Sequence, residues 1–158
     1  MEDRLEERIN YHFEDKDLLR RALLHRSRSN EERQKQKICE DQDALRTLGD
    51  AVLKAILCDL LMRSGYETKG EITIKKSTIE RRPFLAELGR GFDLQDKILV
   101  GEGARMQKHN EEPNVIAETL EAIIGAMYLD GGYESAKKAV SGWYEPYREE
   151  MLKRQIPE

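Results

Sequence analysis

The chain has 158 residues, enough for one domain with a full-sized core, and 37% charged against 39% hydrophobic residues with only 4 prolines suits a helical domain with heavily charged outer faces. Its formal net charge of −4 excludes a whole-molecule field that attracts polyanions, so any contact with nucleic acid has to rest on local basic patches. No apolar run is long enough to span a bilayer, and Met1-Glu2-Asp3-Arg4 opens without a signal-peptide core, so a cytoplasmic protein with no membrane partner is expected.

In chain order, Leu5, Ile9 and Phe13 keep a helical period, and after Asp15-Lys16-Asp17 the apolar set Leu18, Leu19, Ala22 and Leu23 forms a second helix. His25 falls at the end of that helix and reads as a hydrogen-bonding end residue. From Ser27 to Asp41 the residues are almost wholly polar, with basic and acidic side chains interleaved, and a solvated loop is predicted. A long helix then runs from Asp43 to Met62, with Leu45, Leu48, Val52, Ala55 and Ile56 on its core face and Asp43, Arg46, Asp50 and Lys54 on the other. Ser64-Gly65-Tyr66 makes a stop. Between Gly70 and Glu80 the β-branched residues Ile72, Ile74 and Ile79 allow a strand by propensity alone. Phe84, Leu85 and Leu88 give a short helix ended by Gly89 and Gly91, and the segment from Gly101 to Asn110 reads as a loop.

The next segment, Val115 to Tyr128, is an apolar helix that carries two carboxylates three residues apart. On a helical wheel Ile116, Leu120, Ile123, Ile124, Met127 and Tyr128 share one arc, while Glu118 and Glu121 lie opposite, beside Ala122 and Gly125. Pro113 suits its first turn and Asp130-Gly131-Gly132 its end. A last helix is predicted over Tyr133 to Gln155, interrupted near Pro146. No internal repeat or low-complexity linker divides the chain, so residues 1–158 form one domain. Cys39 and Cys58 lack Cys-x-x-Cys spacing and His12, His25 and His109 are scattered, which indicates neither a zinc site nor a disulfide framework.

Five short strings resemble one known family in its order and spacing. Leu45-Arg46-Thr47-Leu48-Gly49-Asp50-Ala51-Val52-Leu53 is similar to the signature helix of ribonuclease III, and the glutamate helix to its second acidic helix. Ala22-Leu23-Leu24-His25-Arg26-Ser27, Gly70-Glu71-Ile72-Thr73 and Tyr128-Leu129-Asp130-Gly131-Gly132 resemble its early segment, its middle helix start and its late turn. The resemblance implies an all-α, ribonuclease III-like endonuclease domain, with a helix rather than a strand over Gly70 to Glu80.

It also implies Mg²⁺-dependent hydrolysis of double-stranded RNA, as in RNA processing, with Mn²⁺ as an alternative ion and a homodimer whose paired sites cut both strands. Mg²⁺ takes a few carboxylates plus waters and can activate a water while offsetting phosphate charge. Carried over residue by residue, the family's four metal carboxylates fall on Arg46, Asp50, Glu118 and Glu121, with Asp50 and Glu121 as the expected catalytic pair. Glu118 stands for an aspartate, and Arg46 reverses the charge of a glutamate, so metal affinity should fall; Asp43, seven residues before Asp50 on the same face, is the expected substitute ligand. Thr47 replaces a phenylalanine of the dimer contact, and Lys69 an acid before Gly70. Lys75, Lys76, Arg81, Arg82 and Arg90, the densest basic cluster, lie where the family contacts RNA, and the first four are the expected RNA-binding residues. Arg46 leaves two function classes open, an endoribonuclease and a catalytically impaired relative that binds structured RNA or a protein partner.

Overall fold

Secondary structure follows the sequence signals closely where apolar periodicity is strong. In the computed structural model, which describes residues 2–37 and 40–149, the α-helices are α1 (Glu2–Ile9), α2 (Lys16–Leu23), α3 (Arg26–Gln34), α4 (Asp43–Arg63), α5 (Lys69–Ile79), α6 (Arg82–Gly91), α7 (Glu102–Met106), α8 (Pro113–Gly131) and α9 (Tyr133–Tyr144). Among the described residues no strand forms, and the one β-type contact is an isolated parallel bridge between Leu24 and Leu99. Cys39 and the predicted extension of the last helix over 150–155 lie outside the described residues.

The segment that propensity left ambiguous is the helix α5. Its start has both halves of a capping box: Thr68 Oγ1 accepts from the Glu71 backbone N–H at 3.2 Å, and the Glu71 carboxylate accepts from the Thr68 N–H at 3.4 Å. Two orphan donors are thereby satisfied, which favours the helix over a strand despite the isoleucines.

Two predicted loops are corrected. Residues 26–34 form α3, in which His25 acts as N-cap, its Nδ1 accepting from the Ser27 N–H at 3.2 Å. Only Ser29 of this helix is buried, and its Oγ donates to Asp41 Oδ2 at 2.9 Å. The helix has no apolar stripe, and the Arg28–Glu32 pair at 3.3 Å supports it instead. Within 101–110, α7 and a 3₁₀ turn over His109–Glu111 replace the expected loop.

α8 is the axis of the domain, packed against α4, α6, α2 and α9. It is buried nearly all round from Val115 to Met127, whereas the wheel placed one face outward; Tyr128, expected on the core arc, is exposed. Each fully buried Leu or Ile removed from water contributes roughly 1.5–3 kcal/mol, so this helix concentrates much of the hydrophobic stabilisation. Its contact with α4 is made backbone to backbone. A Cβ on Gly49 would run into the Glu121 carbonyl oxygen, and one on Gly125 into that of Leu45. Stepping forward from Leu45 to Gly49 moves backward from Gly125 to Glu121, so the two helices cross antiparallel. A buried polar link fixes their register: Gln42 Nε2 donates to Ala22 O at 3.1 Å and to Thr119 Oγ1 at 3.2 Å. At the far end of α8, Asp130 accepts from Tyr11 Oη and from the Glu14 and Asp15 N–H groups, tying the first two helices to it.

Candidate active site

The crossing of α4 and α8 decides which charges meet. Asp50 follows Gly49 directly and Glu121 lies four residues before Gly125, so the glycine contact brings both carboxylates to one place. They border a cavity of about 350 Å³, whose wall also includes Arg46 and Lys54 from α4, Arg82 from α6 and Glu80 from the turn after α5. A larger cleft of about 720 Å³ lies between α2 and α3. Three of its cations are already matched, with Arg21 on Glu40 and both Arg28 and Lys37 on Glu32, and it holds none of the candidate carboxylates.

Within the smaller cavity the acids are unequal. Glu121 is only 8% exposed; burial, then a hydrogen bond to Asp50 and the Asp50 charge, push its carboxyl up to about 7, against the opposing pull of Arg82 and Arg46. Burial acts upward on Asp50 too, but hydrogen bonds from Lys54 and Glu121 outweigh it and hold that carboxyl below its usual range. Lys54 Nζ donates to Asp50 Oδ2 at 2.6 Å, one helical turn away. Donating that hydrogen bond to Asp50 outweighs desolvation and raises the pKa of the Lys54 ammonium. Neutral Glu121 is thus the donor and ionised Asp50 the acceptor of the hydrogen bond that drives both shifts.

Glu118 has different partners. Arg46 Nη1 approaches its Oε2 at 3.0 Å, and Arg82 Nη1 donates to its Oε1 at 3.3 Å, so each carboxylate oxygen holds one guanidinium. Asp43 stands two helical turns before Asp50, about 10 Å along the axis, and borders none of the cavity. Its charge acts on His25 instead, where burial and the Arg26 charge nevertheless keep the imidazole below its ordinary value. Among the described residues no group of three or more His, Cys, Asp or Glu side chains is placed to hold a metal ion.

The expected basic cluster divides. Arg82 turns to the cavity, Lys76 pairs with Glu80 at 3.8 Å, Lys75 is half-buried on α5, and Arg81 is exposed. Thr47 is exposed, its Oγ1 donating to Asp43 O at 3.2 Å, and Lys69 opens α5 at the surface. Two members of the cavity wall escaped sequence reasoning as site residues. Lys54 had a readable signal in its spacing of four from Asp50; Glu80 had none, because only the packing of α5 on α4 brings it there. One oxygen of Glu80 is buried without a hydrogen-bond partner.

Comparison with known proteins agrees with this architecture. A family model described as Ribonuclease-III-like matches residues 15–146. Ribonuclease 3 of Vibrio atlanticus is 34% identical over 144 residues, covering 90% of this chain and 60% of that protein. Ribonuclease 3 of Bdellovibrio bacteriovorus is 35% identical over 143 residues, with the same coverage. The chain thus spans about 60% of the length of these curated relatives. Among solved structures, a nuclease domain of Ribonuclease III from Campylobacter jejuni, described for flexibility in its dimer-forming region, superposes with a TM-score of 0.82 at 29% identity over 90% of this chain and 95% of that one. A second structure of that nuclease domain gives 0.81 at 28% identity over 98% and 97%.

Proposed function

This chain belongs to the ribonuclease III family, and from that premise we propose that it is a Mg²⁺-dependent endoribonuclease acting on double-stranded RNA in RNA processing. The observation that carries the proposal is the Asp50–Glu121 pair, two carboxyls in hydrogen-bond contact at the edge of an open cavity. Mg²⁺ is commonly held by one or two carboxylates plus waters and substrate phosphate oxygens, so this pair fits the ion, and it fits Mn²⁺ by the same oxygen chemistry. When bound, the ion supplies an activated water and offsets charge on the phosphate under attack.

The chain's own residues prepare that site. Glu121 gives up the proton it donates to Asp50, which frees both carboxylates and makes activity rise with pH through about 7. Lys54 must release Asp50, an exchange that costs little at a half-exposed ion pair. Glu118 and Asp43 stand outside this donor set, the first held by two arginines and the second two turns away. Lys75, Lys76 and Arg81 meet the phosphate backbone of a duplex recognised by its A-form shape. We place the protein in the cytoplasm; no helix among the described residues is long and apolar enough to cross a membrane.

The proposal includes a homodimer in which α4 helps form an isologous contact, with Thr47 exposed for it. Light scattering should show a dimer at high micromolar concentration, and a strict monomer there would overturn paired cutting. A second reading, a non-cleaving relative that binds structured RNA or a protein partner, is favoured by one observation: Asp50 and Glu118 are both occupied by cations of the chain itself.

Cleavage of a generic RNA duplex with and without Mg²⁺ separates the two. The nuclease reading expects Mg²⁺-dependent cuts that Glu121→Gln abolishes. If the natural protein never cleaves while Arg46→Glu does, the binding-only reading stands; if neither cleaves, the acidic helices are structural.

A further inference from the structure

We propose that Arg46 and Arg82 form a metal-independent seat for an RNA phosphate, with Glu118 as the residue that positions both guanidiniums. The inference rests on the RNA-directed reading above but assigns these residues a task that the acid-to-arginine change at position 46 does not by itself suggest. Two like-charged heads are brought together in one cavity wall although they come from different helices, α4 and α6. Their mutual repulsion is offset by Glu118, whose two oxygens take one guanidinium each at 3.0 and 3.3 Å. Held on a single carboxylate, they are close enough for both to reach the non-bridging oxygens of one phosphate.

Donors remain for that purpose. Each arginine contacts Glu118 through Nη1 alone, and neither Nε nor Nη2 has a hydrogen bond among the described residues; a guanidinium carries five N–H donors in a fork that matches phosphate geometry. Layering of charge points the same way. The side chains of Arg46 and Arg82 are 35% and 54% exposed, against 19% for Glu118 and 8% for Glu121, so both guanidiniums lie outside the two α8 glutamates, while the more exposed Asp50 is already matched by Lys54 at 2.6 Å. A polyanion approaching over the α8 glutamates meets guanidinium first. An ordinary surface ion-pair network explains the contacts too, but it gives no reason for both cations to border the cavity of the Asp50–Glu121 pair.

The probe is a fluorescent RNA duplex of about 20 base pairs with 5′-hydroxyl ends, titrated by anisotropy in EDTA at low salt, with thermal melting to verify each variant's fold. The natural protein should bind without divalent ions, and millimolar inorganic phosphate should compete. Arg46→Lys and Arg82→Lys keep the net charge and the helices but remove the fork, so each should weaken binding about tenfold while a Lys138→Arg control, at an exposed position of α9 away from the cavity, changes nothing. Arg46→Gln and Arg82→Gln should in addition lower the slope of log affinity against log salt by about one each. Lysine variants that bind as the natural protein does would overturn the seat, as would a natural protein that ignores the duplex in EDTA. In either case Mg²⁺-dependent cleavage would still leave the nuclease reading standing.

Discussion

Glu118 and Glu121 stand three residues apart on α8 and meet opposite surroundings. Glu118 is bracketed by two arginines at the rim, whereas Glu121 is pressed against the α4 backbone beside another acid and retains a proton up to about pH 7. The same residue type on one helix therefore does two jobs, and the neighbour from the packed helix decides which. For Glu121 the neighbour is Asp50; for Glu118 it is a pair of guanidiniums recruited from α4 and α6. Where the resemblance implies four carboxylates, this chain has a two-carboxylate pair beside two arginines on Glu118.

The strongest way to break the contrast is Glu121→Gln. Under the nuclease reading, Mg²⁺-dependent duplex cleavage should fall by at least about a hundredfold, measured at saturating Mg²⁺, since the ion loses one of only two protein ligands. The same variant tests the electrostatics without any activity. The Glu121 carboxyl is raised from its ordinary 4.5 to about 7, so the folded state binds the extra proton and its contribution is present below pH 4.5 and lost as pH rises through 7. Thermal melts should show the natural protein losing on the order of 2 kcal/mol across that window, and Glu121→Gln losing markedly less.

Arg46→Glu comes next and sharpens the comparison by undoing the clamp. It removes a cation from the cavity and adds a ligand, so Mg²⁺ binding by calorimetry should tighten about tenfold and cleavage at saturating duplex should quicken with it, while duplex binding in EDTA weakens as the phosphate seat is lost. The lost ion pair, partly exposed, is worth less than about 1 kcal/mol, so stability should barely move. The smallest effect belongs to the outer basic residues. Lys75→Ala with Arg81→Ala should reduce the salt slope of duplex binding by about two at most and leave Mg²⁺ affinity unchanged, because neither side chain borders the cavity.

Much of this was legible in the residues. The apolar periods of α4 and α8, the Leu48-Gly49-Asp50 signature and the paired glutamates were enough to name the fold and the Asp50–Glu121 pair. What escaped has a common physical cause: it depends on contacts between segments distant in sequence, or on helices with no apolar stripe. α3 is stabilised by a histidine cap and side-chain pairs, which hydrophobic periodicity does not register. Arg82 read as part of the basic cluster because it adjoins Arg81 and lies close in sequence to Lys75 and Lys76, yet the N-terminus of α6 aims it at Glu118, 36 residues away. The nearly complete burial of α8 was hidden by its glutamates, which suggested a solvent face where α4 in fact lies.

The glycine contact between α4 and α8 has a consequence for how the acidic pair behaves as a measuring device. Side-chain packing can relax by rotamer changes, but here peptide group touches peptide group, and carbonyl oxygens occupy the space where Cβ atoms would otherwise sit. The spacing of the two helices where they carry Asp50 and Glu121 is thus set by the thickness of the main chain itself. Repacking of the surrounding leucines and isoleucines leaves that gauge unaltered, so the chain can drift widely in its core, or exchange acids for arginines at the rim, and still present two carboxyls at one fixed interval.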